Sequence, residues 1–115
     1  MSRRNNVVDK KYTAGKFRGP ARKDTDWEHI FERHWHGGRI AQHRATGDIF
    51  GSLSKADIKK VVDQAWEQRK RYRTQGERIL YRADINTREW NGTVEMWFNT
   101  NTKMLETAYP VGAGR

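Results

Sequence analysis

Apolar positions recur along this chain at two different periods, helical through the middle and alternating in the last third. Thr25 followed three residues later by Glu28 is a capping-box pattern, and Trp27, Ile30, Phe31 and His34 then recur at helical spacing until Gly37 and Gly38. This predicts a short first helix. Residues 38 to 52 mix Gly, Arg, His and Asp with isolated Ile40, Ile49 and Phe50, the pattern of a long loop pinned to the core by a few apolar side chains. In the next segment Ser54 caps, Asp57 completes a box, Leu53 and Ile58 form a staple, and Ile58, Val61, Val62, Ala65 and Trp66 make one apolar stripe. The spacing predicts a second helix whose other face carries Lys59, Lys60, Lys70 and Arg71, with Gly76 as terminator after Tyr72.

From Glu77 the period changes to two. Ile79, Tyr81, Ala83 and Ile85 share one face, Val94, Met96 and Phe98 another run, and Lys103 to Tyr109 a third. Asn91-Gly92 and Asn99 to Thr102 are the predicted turns, both too short for a helical crossover, so the strands should be antiparallel. On strict alternation Leu105, Thr107 and Tyr109 fall on one face of the last strand and Met104, Glu106 and Ala108 on the other, before Pro110 ends pairing. The expected fold is α+β, two N-terminal α-helices packed on a C-terminal antiparallel sheet. Residues 1 to 24 show no sustained periodicity and carry Arg3, Arg4, Lys10, Lys11, Lys16, Arg18, Arg22 and Lys23, so they are expected to form a flexible or loosely docked basic arm before a domain over 25 to 115.

Composition narrows the function. A chain of 115 residues accommodates one modest core, and although the hydrophobic fraction is only 35%, five Trp, four Tyr and four Phe supply large buried areas from few residues. The formal charge of +9 attracts polyanions, of which nucleic acid is the commonest. The lack of Cys excludes disulfides, a thiol nucleophile and thiolate metal sites. No apolar run is long enough to span a membrane, and the first residues have no apolar stretch of the signal-peptide kind.

All four histidines, His29, His34, His36 and His43, fall within 15 residues and interleave with Arg33, Arg39 and Arg44. RNA cleavage without metal requires a base for the ribose 2′ hydroxyl, an acid for the leaving oxygen and cations around the phosphate, and imidazole suits both proton transfers near neutral pH. His34 shares the apolar face of the first helix, while His29, Glu32, Arg33 and His36 occupy the other side. A metal site from His34, His36 and Asp48 is disfavoured by spacing, because side chains at i and i+2 of a helix diverge and no His-Glu-x-x-His pair is present. There is no phosphate-binding Gly-rich loop followed by Lys and Ser or Thr. Trp90 and Trp97 are open to two readings, base-stacking platforms or core residues, and the Thr107 and Tyr109 hydroxyls to phosphate binding or ordinary strand surface.

The segment His29-Ile30-Phe31-Glu32-Arg33-His34, a basic loop ending at Phe50, a helix opening at Leu53-Ser54 and the terminal Thr107-Ala108-Tyr109-Pro110 resemble ribonuclease toxins of the BECR superfamily, named for barnase, EndoU, the RNA-cleaving colicins and RelE. The similarity is one of pattern and order over roughly residues 25 to 112. It implies two helices packed on an antiparallel sheet with RNA between the first helix and the sheet, and transesterification to a 2′,3′-cyclic phosphate with no cofactor. It further implies a toxin domain, often a tRNA cleaver, delivered from a bacterial cell surface or secreted as part of a larger protein in contact-dependent growth inhibition. Such a toxin acts in the target-cell cytoplasm and is held by an acidic immunity protein, the domain being otherwise monomeric and free of membrane.

Carried onto this chain, the resemblance makes His34 the leading acid or base with His29 second, Arg33, Arg39 and Arg44 the phosphate clamp, and Thr107 and Tyr109 the completion of the site. Lys103 joins the substrate-binding set. Relatives of this pattern often have a lysine in the loop before the phenylalanine, where this chain has only Arg39, His43 and Arg44. Arginine hardly releases its proton, which raises His43 as the acid. The competing readings are a non-catalytic RNA- or DNA-binding module and an interaction protein whose charge suits an acidic partner.

Overall fold

The computed structural model describes residues 19–41 and 49–111. The chain is α+β, with two helices and a five-stranded mixed sheet. In chain order these are β1 (Asp24–Thr25), α1 (Trp27–His34), α2 (Lys55–Glu67), β2 (Lys70–Gln75), β3 (Arg78–Asn86), β4 (Asn91–Asn99) and β5 (Met104–Val111). The strands lie side by side as β1-β5-β4-β3-β2, antiparallel except for the parallel β1–β5 pair. The expectation of helices followed by an antiparallel sheet is thus met only roughly. A short strand precedes the helices, its pairing makes the sheet mixed, and it spans the expected boundary between residues 24 and 25.

The alternation of β3 and β4 is seen as expected. Ile79, Tyr81, Ala83 and Ile85 with Val94, Met96 and Phe98 are buried on one face, against Ile58, Val61, Val62, Ala65 and Trp66 of α2. Ser54 caps α2 as its spacing predicts, its hydroxyl accepting from the Asp57 N–H at 3.1 Å. Ile30 from α1 and Phe50 from the loop complete the core, where Trp90 meets Phe50 edge-on at 5.5 Å. Trp90 is therefore core and not a stacking platform.

Several local expectations are corrected. Asp26, not Thr25, caps α1, its carboxylate accepting from the His29 N–H at 3.1 Å, because Thr25 is already committed to pairing with Leu105. Helix α2 stops at Glu67, and Lys70 to Gln75, expected as its last turns and terminator approach, form β2. Every residue of β2 is exposed, so no apolar period could mark it as a strand. Gly76 terminates no helix. It takes φ +60° at the β2–β3 turn, where a side chain would be strained. The β3–β4 turn is made by Thr87 to Trp90, with the Thr87 hydroxyl and backbone N–H both bonded to the Trp90 carbonyl, and Asn91 and Gly92 lie within β4.

Arg69 explains the switch from helix to strand. Its guanidinium is buried, donating to the carbonyls of Trp66 (2.7 Å) and Pro20 (2.8 Å) and lying 3.7 Å from the centre of the Trp66 ring. Tying Pro20 to the end of α2 docks the described end of the basic arm, and Arg22 strengthens this with an ion pair to Asp63 at 3.0 Å. At the other end of α1, Gly38 is buried against the helix. A Cβ there would fall on the Phe31 and Glu32 carbonyl oxygens, so only glycine lets the chain fold back closely enough for the Ile40 N–H to reach the Glu32 carbonyl at 2.9 Å.

Candidate active site

Helix α1 is short, and its buried residues Ile30 and His34 are one turn apart. Ile30 enters the core. His34 reaches β5, its ring centre 5.6 Å from that of Tyr109, and its backbone carbonyl accepts from the Phe50 N–H at 2.9 Å. The loop anchor and the helix end are therefore fixed to each other directly behind the imidazole.

A β-bulge decides what β5 presents. The register runs Phe98↔Leu105 and then Trp97↔Thr107, so Glu106 is the extra residue. Strict alternation put Leu105 beside Thr107 and Tyr109. The bulge instead turns Leu105 into the core, fully buried, and leaves Thr107 and Tyr109 together on the opposite face of the sheet.

Two rows of side chains cross that face. In the first, Arg82, Glu95 and Tyr109 stand directly opposite one another on β3, β4 and β5. The Tyr109 hydroxyl donates to Glu95 Oε1 at 3.1 Å and accepts from Trp97 Nε1 at 3.2 Å, while Arg82 Nε donates to Glu95 Oε2 at 3.0 Å. In the second row, Arg73, Leu80, Trp97 and Thr107 are opposite one another on β2 to β5. The Arg73 guanidinium lies 5.6 Å from the Trp97 ring centre and makes no ion pair among the described residues. Thr107 Oγ1 is shielded from solvent and has no hydrogen-bond partner among the described residues.

Burial pushes the Tyr109 phenol above its ordinary value. The carboxylate of Glu95 acts in the same direction, against the opposing influence of Trp97 and the positive charge of Arg73. The phenol is held neutral as a fixed donor. Beside it, Arg78 and then Asn99 hydrogen-bond Glu106 and keep its carboxyl below its ordinary value, with the positive charge of His29 adding to them.

The residues singled out from sequence are thus partly assembled. His34 and Tyr109 are in contact, Thr107 stands two residues away on the same face, and the charge of His29 acts on Glu106 of the same strand. Arg33 is half-buried on the His29 side of α1. Arg39 is not brought to this corner. Its side chain is 74% exposed and paired to Glu32 at 2.8 Å. Lys103 stands in the β4–β5 turn with its ammonium on the Thr100 carbonyl at 2.7 Å, roughly 13 Å along the strand from Thr107. His36 is exposed beside Trp35. His43, Arg44 and Asp48 lie outside the described residues.

Residues that sequence reasoning did not select fill the places left open. Arg73 places a cation and Glu95 a carboxylate on this face, Glu95 fixing Tyr109, and Trp97, left open between platform and core, lies on the same face. Glu95 was visible in principle, as the lone carboxylate in the apolar run Val94 to Phe98. Arg73 was not, because it sat in a segment taken for helix. Among the described residues no group of three or more His, Asp or Glu side chains could hold a metal ion. Comparison with protein-family models, curated proteins and solved structures found no significant match.

Proposed function

We propose that this chain is a metal-independent endoribonuclease of the BECR toxin kind, with a barnase/EndoU/RelE-like arrangement of helices and sheet. The observation that carries it is the contact of the buried His34 imidazole with Tyr109, on a sheet face where Arg73 brings an uncompensated positive charge to the same phenol.

In this reading the scissile phosphodiester seats between α1 and β5. A base takes the ribose 2′ proton, O2′ bonds to phosphorus, the bond from phosphorus to O5′ breaks, and an acid returns a proton to O5′, leaving a 2′,3′-cyclic phosphate. His34 performs one proton transfer and His29 or His43 the other. Arg73 neutralises charge that builds on the phosphate oxygens, the Tyr109 hydroxyl donates to them by turning its single proton from Glu95, and Thr107 Oγ1 adds a second hydroxyl donor. Trp97 offers its ring to a neighbouring base. tRNA is the proposed substrate, an acidic immunity protein the proposed inhibitor, and delivery to a target-cell cytoplasm as part of a larger bacterial toxin the proposed setting.

The test is end-group analysis of RNA incubated with the protein in a chelator. The expected products carry 2′,3′-cyclic phosphate and 5′ hydroxyl ends, and RNA methylated at its 2′ oxygens survives. Intact RNA retained on the protein instead supports the alternative of a non-catalytic RNA- or DNA-binding module, which the open basic strand β2 favours. In either case binding weakens steeply with salt, since counterions are released from the backbone.

A further inference from the structure

Among the described residues Tyr72 is the one large hydrophobic side chain left mainly in solvent, at 54% exposure. It sits at the irregularity in β2 between Arg71 and Arg73, where the register against β3 shifts. The Arg82 guanidinium lies 3.8 Å from its ring centre, and Arg82 is itself held by Glu95. An exposed aromatic ring on an edge strand would ordinarily be loose and adhesive. This one is backed by a guanidinium that is fixed in turn, so little further ordering is needed to stack something on it.

Through its contact with Arg82, Tyr72 adjoins the row of Arg82, Glu95 and Tyr109 that leads to His34. Three strand spacings separate β2 from β5, roughly 14 Å. Its neighbours on β2 are Lys70, Arg71 and Arg73, and the strand holds no acidic residue. A flat ring with cations on both sides along the chain suits a base with its flanking phosphates, since every base has a face to stack and every linkage a negative charge. A protein partner with a hydrophobic knob would find the ring but would leave these cations unanswered.

We propose that Tyr72 is a stacking platform for a nucleobase of single-stranded RNA a few nucleotides from the scissile phosphate, so that the strand crosses the sheet from α1 to the β2 edge. This rests on the ribonuclease reading of the His34–Tyr109 corner and adds to it a remote subsite. It makes the substrate an extended single strand, such as a loop, and not a duplex.

The experiment measures the affinity of the protein for 2′-O-methyl dinucleotides and hexanucleotides, and its cleavage of an unmodified dinucleoside monophosphate, for the native chain, Tyr72→Ala and Tyr72→Phe. Because Tyr72 is exposed, neither variant removes core packing. Tyr72→Ala should weaken the hexanucleotide roughly tenfold, with dinucleotide affinity and dinucleoside cleavage unchanged, and Tyr72→Phe should retain the native values. Unchanged hexanucleotide affinity in Tyr72→Ala overturns the platform, as does an equal loss at both lengths. If dinucleoside cleavage persists in that case, the corner at His34 stands without its subsite. If the native chain neither binds nor cuts either length, both fall together.

Discussion

Replacement of His34 by Ala is expected to lower RNA cleavage about 10²- to 10⁴-fold, the usual loss when a positioned proton-transfer group is removed. Because His34 is nearly buried against Tyr109, a fold effect has to be separated from a chemical one. His34→Gln, which refills most of the volume but titrates nowhere near neutrality, should be as inactive as His34→Ala while melting closer to the native protein. Affinity for uncleavable RNA should change little in either variant. Full activity in His34→Gln would assign the imidazole to packing and remove it from the reaction.

Phe50→Ala should be the most damaging single change to stability, at about 3–5 kcal/mol. The ring is fully buried, meets Trp90 edge-on, and its backbone N–H holds the end of α1 through the His34 carbonyl. The loss is a large share of the roughly 5–15 kcal/mol that holds a typical domain together. A urea titration should show a strongly lowered midpoint, and activity should fall with it, because the Phe50 backbone is bonded to the His34 carbonyl. A midpoint within experimental error of the native protein would show that the loop anchor carries no such weight.

What could be read from sequence followed the visibility of burial. The α2 stripe from Ile58 to Trp66 and the alternation of β3 and β4 are unbroken runs with one buried face, and the structure has them where the spacing puts them. Strand β2 was illegible because all its residues face solvent, and β1 because two residues cannot show a period. The bulge at Glu106 was equally hidden. It comes from pairing with β4, and an alternation count across Leu105, Thr107 and Tyr109 has no way to see a partner strand. The resemblance grouped His34 and Tyr109 in one site, whereas helix-face reasoning placed His34 only among the apolar side chains of α1. Arg73 was missed for the same reason as β2, and the pairing of Arg39 with Glu32 was hidden because proximity in sequence to the histidines does not reveal it.

The arginines beside the histidines were the expected clamp, but Arg73 comes from a strand at the other side of the sheet and reaches the phenol across Trp97. On the proposed reading the site spans β2 to β5, and the outer face together with the first helix gives the path of a bound strand.

The location of the scissile phosphodiester can be measured directly through the indole N–H signals of the five tryptophans in a two-dimensional ¹H–¹⁵N spectrum, titrated with a 2′-O-methyl oligonucleotide. Trp97 donates to Tyr109 at the centre of the site, whereas Trp90 and Trp66 are in the core and Trp27 and Trp35 lie on the α1 side packed against Lys59 and Lys55. RNA seated as described moves Trp97 most, and Arg73→Ala diminishes that response. A titration in which Trp97 stays still while Trp27 or Trp35 moves would put the RNA on the helical side and contradict the assignment of the site.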